Sequence, residues 1–469
     1  MGKDIVEQLD PIFKPRSIAI IGASKDPTKW GGMMLDSVLS SQYRGRVYPV
    51  NPQAKRIRGV KAYPSVLDIP GDVDLAVFTV PAKHMPGVMA QSVEKGVKGG
   101  LVISADFAET GETGRKLQEE TVKIARKGGI RFVGPNGNGL QSSISRLSLC
   151  PFPLTRPGPV GFITQSGTFG GLVTRAAMEK GFGISKFVAI GNQADLTVAD
   201  YIEYLSHDKD TQVIGLYVEG IKDGRRFLDV ARQVSKEKPI IAVKGGGTEH
   251  GARATLSHTA SIAGTDEIFD AMCRQAGIIR VPEVGHLFTM AEALCGQPIP
   301  KGNRIAIIAN GGQGVAISDC LSRLGMDVPE FTPSDARALK NLMPPHAPTP
   351  RNPVDYAAGA MDPQDEIRVV EMLASLDYVD GIITNVPRDR GFGAMSLAEQ
   401  KKAGIDALDQ FCQIPQKFGK PVITNAWFSD ESVSEFLHNA GIPMYSISED
   451  CARAMDGLVK YGEIQRRKG

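Results

Sequence analysis

Residues 162–181 read FITQSGTFGGLVTRAAMEKG. An apolar β-branched run ends at Gln165-Ser166-Gly167-Thr168, and small and apolar residues at helical spacing follow. That order predicts a strand, a tight turn and the start of a helix. The same unit returns at residues 304–322, RIAIIANGGQGVAISDCLS, with Gly311-Gly312-Gln313-Gly314 at the turn. A strand that runs directly into a helix is half of a βαβ unit, so the search for further copies decides the fold class.

Further copies are found along nearly the whole chain. SIAIIGAS (17–24), RVYPVNP (46–52), VDLAVFTVP (73–81), GGLVISA (99–105) and IRFVGPN (130–136) are five strand candidates. Helical stretches such as PGVMAQSVEKGV (86–97) separate several of them. After the Pro-rich passage LCPFPLTRPGP (149–159) come PVGFITQSG, ISKFVAIGN, QVIGLYVEG and PIIAVKGGG. A second punctuated passage, LCGQPIPKGN (294–303), precedes RIAIIANGGQG, DGIITNVP and KPVITNAW. We therefore expect an α/β protein of three tandem open sheets, divided as 1–148, 149–297 and 298–469. A chain of 469 residues is long enough for about three cores.

Composition excludes several function classes. A net charge of +2 is too small to make nucleic acid or an anionic membrane the main partner. The closing IQRRKG reads as a solvated basic end. No apolar run reaches membrane-spanning length and MGKDIVEQLDPIF is too polar for a signal peptide, which predicts a cytoplasmic protein. Six cysteines stand singly, without Cys-x-x-Cys pairs, and read as buried hydrophobes of a reducing compartment; no metal site is expected.

Open α/β sheets bind ligands at strand C-termini, and the chemistry-bearing residues fall there. The first turn, IGASKDPTKWGG, lacks the G-x-G-x-x-G of a dinucleotide fold. Past the next strand, Asn51 is followed by Lys55, Arg56 and Arg58 instead of the acidic residue that holds a free ribose diol. Cations there suit a phosphorylated ribose, and charge alone admits both coenzyme A and NADP. Ser166-Gly167-Thr168 and Gly311-Gly312 each offer the free N–H groups of a helix start to an anion. In sequence they flank His258, which stands in ATLSHTASIAGTDEIFDAM (254–272) on what we expect to be a loop of small polar residues. Glu219, at the end of QVIGLYVEG, is the candidate to orient that imidazole.

SHTASIAGTDEIFDAMCRQAGIIRV resembles the phosphohistidine segment of the succinyl-CoA synthetase superfamily. With ITQSGTFG, GNQADL and LYVEGIKDGRRF, the whole chain resembles the α subunit of an ADP-forming acyl-CoA synthetase of the acetate–CoA ligase type. The resemblance implies a Rossmann-like CoA-binding domain followed by two flavodoxin-like ligase domains. It implies His258 as phosphoryl carrier, Glu219 as its orienter, and the two helix starts as phosphate seats. It assigns CoA to Gly22, Ala23, Ser24, Asn51, Pro52, Lys55, Val80, Pro81, Ser104 and Asn136. It also implies phosphate as substrate, and ADP or ATP with Mg²⁺ on an ATP-grasp β subunit in an α2β2 heterotetramer, since no ATP-grasp segment follows Pro298. Three positions depart from the family pattern: Asp106 for Gly, Gly137 for Cys and Gln313 for Pro. Two rivals remain at this stage, a nicotinamide-dependent oxidoreductase and a non-catalytic CoA sensor of the same fold.

Overall fold

The computed structural model describes residues 4–179, 181–259, 265–357, 361–387, 398, 407–426 and 431–467, with the side chains of 255–259 outside that description. Every strand expected above forms. Five of them, in the order Arg46–Val50, Ser17–Ile21, Leu75–Phe78, Gly99–Val102 and Arg131–Val133, make a wholly parallel sheet. Residues of the inner strand Ser17–Ile21 are buried on both faces, as parallel strands covered by crossover helices must be.

The second sheet has seven strands, in the order Ile278–Arg280, Ile240–Lys244, Val213–Val218, Val160–Thr164, Ile184–Ala189, Gly139–Ser142 and Leu147–Leu149. The last two form an antiparallel hairpin on its edge, which brings residues 139–149 onto this sheet. Short serine-bearing strands carry little hydrophobic signal, and the sequence reading did not see this hairpin.

These two sheets lie in one compact unit, Met1–Val284, and a second unit runs from Gly285 to Gly469. Within the first unit, the N-terminal helix Ile5–Phe13 lays Phe13 on Tyr204 at 5.0 Å between ring centroids, and the Tyr204 hydroxyl donates to Asp10 at 2.9 Å. The fully buried Asp195 carboxylate accepts from Arg126 and Arg131, both at 2.9 Å, and from the Phe132 N–H at 3.0 Å. Each contact ties the first sheet's elements to the helix Val198–His207 or the loop before it.

Lys186 and Asp208 are both buried and pair at 2.6 Å, with the Thr211 hydroxyl donating to the same carboxylate oxygen at 2.7 Å. Removing one partner of such a pair leaves the other charge uncompensated in low dielectric. Lys186→Met is therefore expected to lower unfolding free energy by about 3–5 kcal/mol, whereas replacing both residues by apolar ones costs far less. Denaturant unfolding of the two variants measures the difference.

The second unit carries a parallel sheet in the order Ile305–Ile307, Gly381–Asn385, Val422–Asn425 and Met444–Tyr445. Helices Gly312–Arg323 and Ser448–Arg466 contribute Ile317, Leu321, Met455 and Leu458 to a core against it. Helix Val284–Gly296 belongs here as well, since the Tyr445 hydroxyl donates to the Thr289 carbonyl at 2.7 Å. Gln297 extends the tie, accepting from the Val422 N–H and donating to the Gly441 carbonyl.

Candidate functional site

All ten residues assigned to CoA lie just past the C-terminal ends of the first sheet's strands. Gly22, Ala23 and Ser24 follow Ser17–Ile21, and Asn51, Pro52 and Lys55 follow Arg46–Val50. Val80 and Pro81 follow Leu75–Phe78, Ser104 follows Gly99–Val102, and Asn136 follows Arg131–Val133. The sheet reverses its winding beside Ser17–Ile21, which opens a crevice at these turns.

Their side chains are used largely to shape the crevice. Gly22 has φ +93°, and a Cβ there would sit 2.8 Å from the Thr79 hydroxyl. Helix Trp30–Ser40 starts hard against this turn, because a Cβ on Gly31 would fall 2.0 Å from the Gly22 carbonyl oxygen. Asn51 donates to the Ala23 carbonyl at 2.8 Å and accepts from the Gln53 and Ala54 N–H groups. Ser24 accepts from the Asp26 N–H, Ser104 donates to the Val80 carbonyl, and Asn136 takes a left-handed φ of +58°.

The three basic residues past Asn51 divide. Arg58 is committed to Asp36 through two bonds of 2.6 and 3.0 Å, and Arg56 donates to the Gly59 carbonyl. Lys55 is exposed and forms no ion pair with any described residue, so its ammonium faces solvent at the crevice.

The second sheet has its own reversal between Val160–Thr164 and Val213–Val218, and the two ends that meet there carry Ser166 and Glu219. Gln165 locks them together: its carboxamide oxygen accepts from the N–H groups of Glu219 at 2.8 Å and Gly220 at 3.0 Å. Sequence reading placed Gln165 in the turn without giving it a role. Helix Gly167–Glu179 makes its first internal bond from the Gly170 N–H to the Ser166 carbonyl. The N–H groups of Gly167, Thr168 and Phe169 precede that bond and stand at the positive end of the helix.

Glu219 is 5% exposed. Burial, with the Glu219 charge nearby, pushes the Tyr217 phenol above its ordinary range and keeps it neutral. Phe169 lies over the Tyr217 ring at 4.2 Å between centroids. Gly245 leaves room for this group, since a Cβ there would meet the Tyr217 hydroxyl at 2.4 Å and Glu219 Cγ at 3.2 Å.

A cavity of about 210 Å³ lies between the two sheets' loops. Ser166, Gly167 and Thr168 form one wall; Asn136, Gly137, Gly191 and Asn192 form another; Trp30 and Ile103 supply apolar surface. None of the residues lining it is charged.

His258 is a correction. Residues Glu249–Thr259 are helical, so His258 belongs to the last turn of a helix rather than to a loop. Its side chain, and residues 260–264, lie outside the described residues. The next helix starts where expected, at Asp266 after Thr265. Arg280 grips Asp266 at 2.6 and 2.7 Å, and Gly247 packs against that carboxylate.

The second candidate phosphate seat, Gly311-Gly312, lies in the C-terminal unit. Gly311 caps helix Gly312–Arg323 with φ +51° and donates to Asp355 at 3.2 Å; open space surrounds both glycines where a Cβ would project.

Two of the three departures, Gly137 and Gln313, have local reasons, and nothing in the structure explains Asp106. Asp106 takes φ +72°, a conformation that suits the glycine it replaces, and it does not line the cavity. A Cβ at Gly137 would lie 2.8 Å from the Ala189 carbonyl oxygen. Gln313 donates its N–H to the Asn310 carbonyl and its carboxamide to Asn425, both beyond a proline. Among the described residues no His, Cys, Asp and Glu cluster could hold a metal ion, and no helix is long and apolar enough to cross a membrane.

Comparison with known proteins places this geometry. Residues 16–142 match a CoA binding domain, and residues 157–294 match the succinyl-CoA ligase like flavodoxin domain. The chain is 40% identical over 457 residues to the α subunit of acetate–CoA ligase [ADP-forming] II from Pyrococcus furiosus, covering 96% of this chain and 97% of that one. It is 35% identical over 468 residues to the α subunit of the same organism's form I enzyme, covering 97% and 98%. The solved structure of a dinucleotide forming acetyl-coenzyme A synthetase from Ca. Korarchaeum cryptofilum, in complex with phosphate and ADP, superposes with a TM-score of 0.85 at 34% identity, covering 98% of both chains.

Proposed function

Because the chain belongs to the family of ADP-forming acetate–CoA ligase α subunits, we propose that it relays a phosphoryl group through His258 between an acyl phosphate and ADP. Phosphate attacks the thioester carbonyl of an acyl-CoA, and the carbon–sulfur bond breaks to give acyl phosphate and free CoA. The His258 imidazole then attacks phosphorus, and the carboxylate leaves. ADP, held with Mg²⁺ on an ATP-grasp partner subunit, finally takes the phosphoryl group and becomes ATP. Each step reverses, so the same chain serves acid activation. The assembly we propose is an α2β2 heterotetramer in the cytoplasm.

The observation that carries this reading is the junction of Gln165, Ser166–Thr168 and Glu219 at one sheet reversal, beside an uncharged cavity and next to the CoA crevice. Phosphoryl transfer needs positioning and charge stabilisation more than covalent machinery. The helix start offers partial positive charge to a phosphoryl oxygen, and the uncharged lining of the cavity supplies no competing anion. Glu219 would accept from one imidazole nitrogen of His258 and leave the other as the nucleophile. Lys55 is the cation free to meet the 3′-phosphate of CoA.

Reconstitution with the ATP-grasp subunit tests the proposal. Acetyl-CoA, phosphate, ADP and Mg²⁺ are expected to yield ATP, acetate and free thiol in equal amounts. Binding of NADPH in place of CoA, without thioester turnover, would instead favour the oxidoreductase reading.

A further inference from the structure

We infer that Lys222, Asn192 and Glu109 form a clamp that holds one wall of the cavity in place for acyl and phosphoryl transfer, which makes Lys222 and Glu109 positioning residues. The inference rests on the relay reading above and assigns a role to GNQADL and to Lys222, three residues past Glu219, neither of which the relay itself uses.

Gly191 and Asn192 line the cavity opposite the helix start at Ser166–Thr168. Their backbone is unusual: Gly191 and Gln193 have φ of +53° and +51°. A Cβ at Gly191 would sit 2.2 Å from the Pro135 carbonyl oxygen, so the loop is pressed onto the turn that carries Asn136 and Gly137. A side chain other than glycine held at positive φ costs free energy, and surrounding contacts must hold it there.

Those contacts come from two sides. The Lys222 ammonium donates to the Asn192 carbonyl at 2.5 Å and to the Gln193 carbonyl at 3.1 Å. Lys222 stands three residues after Glu219, in the loop whose start Gln165 fixes. From the other side, the Asn192 carboxamide donates to Glu109 at 2.5 Å and to the Gln118 carboxamide oxygen at 3.2 Å. The second Glu109 oxygen accepts from the N–H groups of Asp106 and Phe107, in the loop that follows Ser104. One residue of the cavity wall is thus held at its backbone by the Glu219 loop and at its side chain by the CoA-side loop. Charged partners at both ends make these stronger than neutral hydrogen bonds. The nucleotide end of the crevice, at Gly22, Asn51 and Lys55, takes no part.

That separation gives the test. In the reconstituted enzyme, Lys222→Met is expected to lower kcat/KM for acetyl-CoA about tenfold, with the Kd for CoA within about twofold of the unaltered chain. The melting temperature should move by no more than a few degrees. Lys222→Arg, which can still donate to both carbonyls, is expected to recover most of the loss, and Glu109→Ala to reproduce it from the other side. Full activity in Lys222→Met would overturn the clamp, as would an arginine variant no better than the methionine one. So would a parallel loss of CoA affinity and melting temperature, which marks a general structural role. An unaltered enzyme that binds CoA yet turns over no acyl-CoA would overturn the relay reading and this inference with it.

Discussion

Replacing His258 by alanine is expected to abolish net ATP formation from acetyl-CoA, phosphate and ADP, by about 10³-fold or more, while leaving CoA affinity unchanged. The size of the effect follows from the role. A general base can be replaced in part by water, but a group that carries the phosphoryl between two separate sites has no substitute. The variant should keep the partial reaction that precedes it, since phosphate attack on the thioester needs the CoA crevice and the helix start at Ser166–Thr168, not the imidazole. Single-turnover release of free thiol, followed alongside ATP formation, separates the two: the first persists and the second disappears. Loss of both together would mean that His258 acts on the thioester, and retention of both would remove it from the reaction.

Glu219→Gln is expected to have the second largest effect, a fall of about 10²- to 10⁴-fold in the rate of His258 phosphorylation. The substitution is nearly isosteric and occurs at a buried position held by the Gln165 carboxamide through its own backbone N–H. The fold should therefore survive. A neutral carboxamide still fills the space beside Tyr217 but neither stabilises a developing imidazolium nor fixes the tautomer with its nucleophilic nitrogen free. Rapid-quench measurement of phosphoprotein formation from acetyl phosphate reads this step directly, and CoA titration shows that the crevice is intact. A variant that phosphorylates at the unaltered rate would show that Glu219 serves only packing.

Much of this was legible in the chain. Parallel strands announce themselves because both faces are buried: IAII, LAVF and IIAV are continuous apolar runs, and the first two end in turns that hold candidate CoA residues. The candidate CoA residues are named by family resemblance, and they fall in those turns, where open sheets place ligands and glycines mark close backbone approach. What escaped reading depends on partners remote in sequence. Gln165 bonds to residues 54 and 55 positions away, and Asn192 reaches Glu109 across 83. Arg58 reads as a phosphate ligand until Asp36, 22 residues earlier, is found to hold it. The helix Glu249–Thr259 is hidden by composition, because Gly, Ser, Thr and His make a weak helical pattern and propensity favours a loop there.

Incubating the purified chain with acetyl phosphate and Mg²⁺, beside a His258→Ala control, isolates the carrier step. A relay through His258 gives a gain of one phosphoryl group by intact mass, labile to acid and stable to base, on the unaltered chain and absent from the variant. An acid-stable adduct, or an acid-labile one that persists in His258→Ala, would contradict it.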